Sequence, residues 1–222
     1  MAKTKTVWYC TNCGNEYPQF LGRCPACGEW NTMKEMTVEP KKAASAAVGR
    51  STPKGSDEKR KPLKLKEILY SKENRTSLGM EEVDRLLGGG IVPGSLVLIG
   101  GEPGIGKSTL SLQIPLCSGQ VRTLYVTGEE SARQVRMRAE RLGATDKDNI
   151  DIFCETLIDN VIAEAAEQRP DLVIVDSVQT MYTDALDSTP GSVSQIKEVA
   201  AMLLRFAKES GVPVILIGHI TK

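Results

Sequence analysis

Apolar positions fall along this chain in three regimes. From residue 95 onward, short continuous apolar runs alternate with stretches whose apolar residues recur at helical spacing. The runs at 95–99, 123–126, 150–153, 172–175 and 212–217 predict strands, and 132–142, 159–168 and 193–210 predict helices. A further helix is expected to open at Thr109. Strands that read as unbroken apolar runs belong to a parallel sheet covered on both faces. Alternation with helices makes this a doubly wound α/β domain, whose ligands lie at the C-terminal strand ends. Pro115 falls inside the first of these helices, where it removes a backbone hydrogen bond and predicts a bend near Ser111. Upstream, 79–87 reads as a short amphipathic helix closed by Gly88-Gly89-Gly90, and Pro93-Gly94 turns the chain into the first strand. In the second regime, 34–62, apolar periodicity is lost among Lys, Ser, Pro and Gly, as in an unstructured basic tether. The third, 1–33, is too small to bury a core of its own. The expected organisation is thus a module at 1–33, a linker at 34–62 and a core at 63–222.

Charge sharpens this division. The net charge is zero, yet residues 1–66 carry 13 Lys/Arg against 6 Asp/Glu, and 67–222 carry 15 against 22. A basic arm on an acidic body suits a polyanionic partner or a solvated tail. No apolar run approaches the ~18 residues of a membrane span, and the N-terminus lacks the apolar core of a signal peptide. The expected compartment is the cytoplasm, with no membrane association. Cysteines there favour metal binding over disulfides.

Cys10-x2-Cys13 and Cys24-x2-Cys27 are each followed by glycine, Gly14 and Gly28, which permits a tight knuckle aiming two sulfurs at one ion. A second correctly spaced pair separates a structural Zn2+ site from a redox pair. The metal would supply the stability that so small a module lacks. Trp8, Tyr9, Tyr17, Phe20 and Trp30 either wrap the knuckles as a miniature core or stack on nucleic-acid bases. Cys117 and Cys154, without partners, are expected to be buried as small apolar residues.

Gly101-Glu102-Pro103-Gly104-Ile105-Gly106-Lys107-Ser108 fits the phosphate-binding loop G-x-x-x-x-G-K-[ST], between a predicted strand and a predicted helix that begins at Thr109. Backbone N–H groups and the helix N-terminus face phosphate oxygens there. Lys107 is placed to reach the β- and γ-phosphates of ATP and Ser108 to hold Mg2+. Asp176 ends an apolar strand, where a carboxylate serves Mg2+ or merely starts a turn. Glu129 and Glu130 follow another strand, as candidates for activating water or as residues suited to a helix start. His219, the single histidine, lies past the last strand, as a γ-phosphate sensor or a structural residue.

Taken together, these motifs resemble the bacterial RadA (Sms) family of DNA repair proteins. The resemblance rests on 22–32 of the cysteine module, Leu87-Gly88-Gly89-Gly90-Ile91, Gly101 to Thr109, 125–131, Val175-Asp176-Ser177-Val178-Gln179-Thr180, 190–195 and Gly218-His219-Ile220-Thr221-Lys222. It implies a RecA-like P-loop NTPase core, with a mainly parallel sheet, preceded by a small four-cysteine zinc ribbon. It implies a DNA-dependent ATPase, a possible translocase or helicase, that processes recombination intermediates and promotes branch migration with the RecA recombinase. Single-stranded or branched DNA and a homo-oligomer, a hexameric ring at full length, are the partners it implies. Lys107, Glu129 or Glu130, and Asp176 would be catalytic, with Mg2+ on Ser108 and Asp176. Gln179 and His219 would couple nucleotide to DNA, and 183–194 would form a DNA-facing loop. Members of that family continue beyond this point with a Lys-Asn-Arg-Phe-Gly motif and a Lon-like domain, so a C-terminally truncated chain with impaired turnover is expected. The competing readings are a KaiC-like signalling ATPase and a zinc-ribbon nucleic-acid-binding protein in which ATP only switches conformation.

Overall fold

A computed structural model describes residues 5–11, 15–38, 64–67, 74–144 and 146–219. Of the expected linker at 34–62 only 34–38 are described, and these are strand rather than unstructured tether; the rest lies outside the described residues, as do Cys13, Gly14 and 220–222. The N-terminal module is an antiparallel sheet ordered β2-β1-β3, from β1 (Lys5–Cys10), β2 (Glu16–Tyr17) and β3 (Met33–Val38). Strand β1 runs from Lys5 opposite Val38 to Cys10 opposite Met33.

The core holds β4 (Leu96–Gly101), β5 (Thr123–Thr127), β6 (Ile150–Cys154), β7 (Leu172–Asp176) and β8 (Val214–His219). They form one parallel sheet ordered β4-β8-β7-β5-β6. Strand β8, the last in sequence, thus inserts between β4 and β7. The helices are α1 (Glu81–Leu86), α2 (Lys107–Ser118), α3 (Ala132–Arg141), α4 (Ile158–Gln168) and α5 (Val193–Ser210).

Successive residues of a strand face opposite sides, and here both sides are covered. Leu124, Val126, Val173 and Val175 pack with α4 and α5 through residues such as Val161 and Leu203. Tyr125, Leu172, Ile174 and Ile215 pack against Leu112 and Ile114 of α2 and Val135 of α3. Burial of each such side chain contributes about 1.5–3 kcal/mol. This double coverage is why the inner strands β5, β7 and β8 read as continuous apolar runs. Strand β4 continues two residues past its apolar run to Gly101, and α2 begins at Lys107 rather than Thr109. Pro115 is buried within α2, which continues through it as one helix.

The unpaired cysteines correct an expectation: Cys117 and Cys154 are exposed. Cys117 lies in the last turn of α2, and Cys154 ends β6, an edge strand paired only with β5. Helix and strand are as expected there, but both cysteines lie exposed at the ends of these elements.

Candidate functional site

Strand register brings the predicted residues to one edge. Gly101 of β4 pairs with His219 of β8, and Thr127 of β5 pairs with both Asp176 of β7 and Cys154 of β6. The loop 102–106 is exposed and arches from the end of β4 into α2. Gly106 occupies the α2 N-cap with φ of 100°, a left-handed conformation that favours glycine and turns the chain into the helix. Lys107, only 6% exposed, donates from Nζ to the Gly101 carbonyl at 2.9 Å and the Glu102 carbonyl at 2.7 Å. Its ammonium is therefore held inside the arch by neutral acceptors, which a phosphate oxygen would outcompete. The first-turn N–H groups of Lys107, Ser108 and Thr109 open toward the same space.

Asp176 is 7% exposed and accepts a 2.7 Å hydrogen bond at Oδ2 from the Tyr125 hydroxyl. That hydroxyl lies 3.1 Å from Ser111 Oγ, itself 3.1 Å from the Ser108 carbonyl. Burial, and then the charge of Asp176, push the Tyr125 hydroxyl far above the usual phenol range, so it remains a donor. Neither Tyr125 nor Ser111 stood out in the sequence. The donor set fits Mg2+, which prefers oxygen ligands: the Ser108 hydroxyl and Asp176 Oδ1 have no hydrogen-bond partner among the described residues. They would hold the ion between phosphate loop and sheet.

The structure distinguishes the two glutamates. Glu130 pairs with Arg138, whose Nη1 also donates to the Ser108 carbonyl at 3.2 Å. Glu129 Oε1 accepts from Ser177 Oγ at 2.8 Å and lies 3.8 Å from His219 Nε2, with half its side chain open to solvent. Neither caps α3, where Ser131 and Gln134 form a reciprocal capping box. Gln179 Nε2 donates to the His219 carbonyl at 3.1 Å, while Gln179 Oε1 and His219 Nδ1 are buried with no partner among the described residues. Gln179, His219 and Glu129 thus form a connected group beside Asp176. The loop 183–194 is gathered by the buried Gln195 amide, which donates to the Thr183 and Ser188 carbonyls at 3.1 and 2.9 Å and accepts from Thr183 N.

A cavity of about 290 Å³ opens at these strand ends, lined by 127–130 and 154–156. A larger concavity of about 570 Å³ runs between α4 and α5, lined by residues including Met202, Phe206 and Arg205. It lies away from the phosphate loop and carries none of this chemistry.

In the ribbon, the sulfurs of Cys10, Cys24 and Cys27 lie within 4.8 Å of one another, and Cys10 and Cys24 are fully buried. The Cys10–Cys27 separation is 3.7 Å. Tetrahedral zinc at ~2.3 Å from each sulfur requires sulfurs roughly 3.8 Å apart, so the cluster fits Zn2+. Gly28, with φ of 76°, donates to the Cys24 carbonyl at 2.8 Å and forms the knuckle turn. Trp8 and Tyr17 pack on the cluster, whereas Phe20 and Trp30 are 54% and 66% exposed. The aromatics therefore divide between a miniature core and an open surface.

The model of an AAA domain matches residues 59–222, and that of a rubredoxin metal binding domain matches 8–35. The whole chain aligns with DNA repair protein RadA of Pseudomonas aeruginosa at 47% identity, of Escherichia coli at 48% and of Bacillus subtilis at 43%. In each case 100% of this chain and 48% of the relative are covered, so the chain spans about half the length of the curated relatives it matches. Among solved structures, a KaiC-like protein from Pyrococcus horikoshii superposes with a TM-score of 0.57 at 24% identity, covering 67% of this chain and 72% of that one. That likeness bears on the fold alone. Among the described residues no helix is long and apolar enough to cross a membrane. With an ATP-binding AAA core behind a ribbon whose cysteines suit zinc, this chain belongs to the AAA domain family, and its relatives over its full length are the RadA DNA repair proteins.

Proposed function

We propose that this chain carries the nucleotide site of a DNA-dependent ATPase of recombinational repair. The observation that carries the reading is the placement of Lys107 and Asp176: one buried ammonium at the start of α2 and one buried carboxylate at the end of β7, at the same edge of the sheet, beside an arch of exposed residues. ATP phosphates exchange with the Gly101 and Glu102 carbonyls for the Lys107 ammonium, and the first-turn N–H groups of α2 complete the cradle. Ser108 and Asp176 would hold Mg2+, which would supply positive charge against the phosphates. Glu129, open to solvent and steadied by Ser177, orients the attacking water. Glu130 has a different task, fixing Arg138 against the first turn of α2. Gln179 and His219 link this water site to the 183–194 side of the sheet edge and relay nucleotide state to DNA.

The finer reading is that the full-length protein forms a ring in the cytoplasm and drives branch migration with RecA on single-stranded or branched DNA. The ribbon, which runs through β3 to Val38, is joined along the sequence by 39–62 to a core at 63–222. RadA relatives along the whole chain support this reading. The test is phosphate release by the full-length protein with and without single-stranded DNA, with Lys107→Ala as control. Stimulation by DNA that the substitution abolishes is expected. Turnover indifferent to DNA contradicts the reading; with self-phosphorylation it favours a signalling ATPase, and tight binding without release favours a nucleotide switch.

A further inference from the structure

We propose that Tyr125 is a positioning residue: its buried hydroxyl, backed by Ser111, fixes the Asp176 carboxylate so that one oxygen remains free for Mg2+. This rests on the ATPase reading and adds to it a device that couples the phosphate-loop helix to the metal-binding strand.

Tyr125 is fully buried in the middle of β5, within an apolar layer where a phenylalanine would fill nearly the same space. A buried hydroxyl without partners costs roughly 1–3 kcal/mol, and a satisfied pair gains little over an apolar isostere. Stability alone therefore gives no reason for a phenol here. Its two partners do. On one side stands Asp176 Oδ2 at 2.7 Å, and on the other Ser111 Oγ at 3.1 Å, one turn along α2 from Ser108.

An ionised Asp176 only accepts, so the single Tyr125 proton is committed to Oδ2. The Ser108 carbonyl already receives Arg138 Nη1 at 3.2 Å. The single Ser111 proton has two acceptors at 3.1 Å, the Ser108 carbonyl and the Tyr125 oxygen, so Ser111 ties the phenol to the first turn of α2. The Tyr125 donation holds Oδ2 and leaves Oδ1, which has no hydrogen-bond partner among the described residues, as the ligand oxygen. Because Ser111 shares the first turns of α2 with Ser108, the same three groups set the separation of the two magnesium ligands. Hydrogen-bond partners behind a metal ligand typically account for about 10–100-fold in metal affinity.

The test uses Tyr125→Phe and Ser111→Ala in this chain and in the full-length protein. Binding of a fluorescent ATP analogue is followed while Mg2+ is titrated, with EDTA as the metal-free baseline. Tyr125→Phe is expected to raise the Mg2+ midpoint about tenfold, and Ser111→Ala by a smaller factor, with metal-free binding unchanged. A merely structural role would weaken binding equally with and without metal. Should Tyr125→Phe fold poorly, Ser111→Ala, which deletes a single oxygen, decides the matter by the same readout. Metal-dependent binding by the unsubstituted protein, with midpoints that the folded variants leave in place, overturns this proposal and leaves the ATPase reading standing. Absence of nucleotide binding by the unsubstituted protein overturns both.

Discussion

Gly128→Ala places a single methyl group where the sheet edge has no room for it. Gly128 joins β5 to Glu129, and a Cβ there would meet Thr180 Oγ1 at 2.5 Å, Thr180 Cβ at 2.7 Å and Thr156 Cγ2 at 2.8 Å. Comfortable carbon contacts lie at ~3.5–4.0 Å, so relief demands a shift of the order of 1 Å. Side-chain rotation supplies little of it. Thr180 Cβ stays in place whatever its χ1, and its hydroxyl is engaged with the Ser177 carbonyl at 2.8 Å. The backbone of 177–180 must move instead, and Ser177 carries the hydrogen bond to Glu129. Overpacking of this kind costs about 1–3 kcal/mol. For a protein of this size that lowers Tm by roughly 2–4 °C per kcal/mol. Thermal unfolding of the chain, together with phosphate release by the full-length protein, reads both effects. A lower Tm and slower release are expected. Adding Thr180→Gly removes the two nearest atoms and is expected to restore more stability than independent substitutions would, with a coupling of about 0.5–3 kcal/mol. A Gly128→Ala protein within about 0.5 kcal/mol of the parent, with normal phosphate release, refutes the packing argument.

Substitution separates the two glutamates. Glu129→Gln is expected to keep nucleotide binding while slowing phosphate release of the full-length protein about 100-fold or more. Glu130→Gln should instead lower stability by about 1–3 kcal/mol, because it leaves a mostly buried Arg138 without its carboxylate; thermal unfolding reads that loss. Extracting metal with a strong chelator is expected to unfold the ribbon, seen as a change in Trp fluorescence, while ATP binding by the core persists. Glu155 accepts from the N–H of Thr156 and Leu157 and from Asn160 at the start of α4, and the Leu157 N–H leads in holding its carboxyl below the usual range. A carboxyl lowered in the folded state contributes stability above its unfolded pKa and loses it as pH falls. Glu155→Gln should therefore cost a modest amount of stability at pH 7, reduced by solvent screening of this largely exposed carboxyl, and the difference should shrink as pH falls below the usual carboxylate range; urea unfolding across pH reads it.

The readable part of the molecule was the part set by local pattern. The inner strands β5, β7 and β8 announced themselves because apolar layers cover both faces, and the phosphate loop because its chemistry is contiguous from Gly101 to Ser108. What escaped depends on strand order. Tyr125 meets Asp176 only because β5 and β7 are neighbours, with Thr127 level with Asp176. Nothing near Tyr125 in sequence points to Asp176. The division of labour between Glu129 and Glu130 needed α3 packed against α2, which brings Arg138 to the Ser108 carbonyl. Cys154 was misjudged for a related reason: the β6 run reads as a strand, but sequence does not say that it lies at the sheet edge.

The central claim is that a triphosphate is gripped by the arch at 101–108, with the Lys107 ammonium inside it. Isothermal titration calorimetry of this chain with ATP and Mg2+, beside Lys107→Ala, tests it most directly. The account predicts saturable heat near one nucleotide per chain, abolished by the substitution. No heat from the folded chain, or equal heat from both proteins, would contradict it.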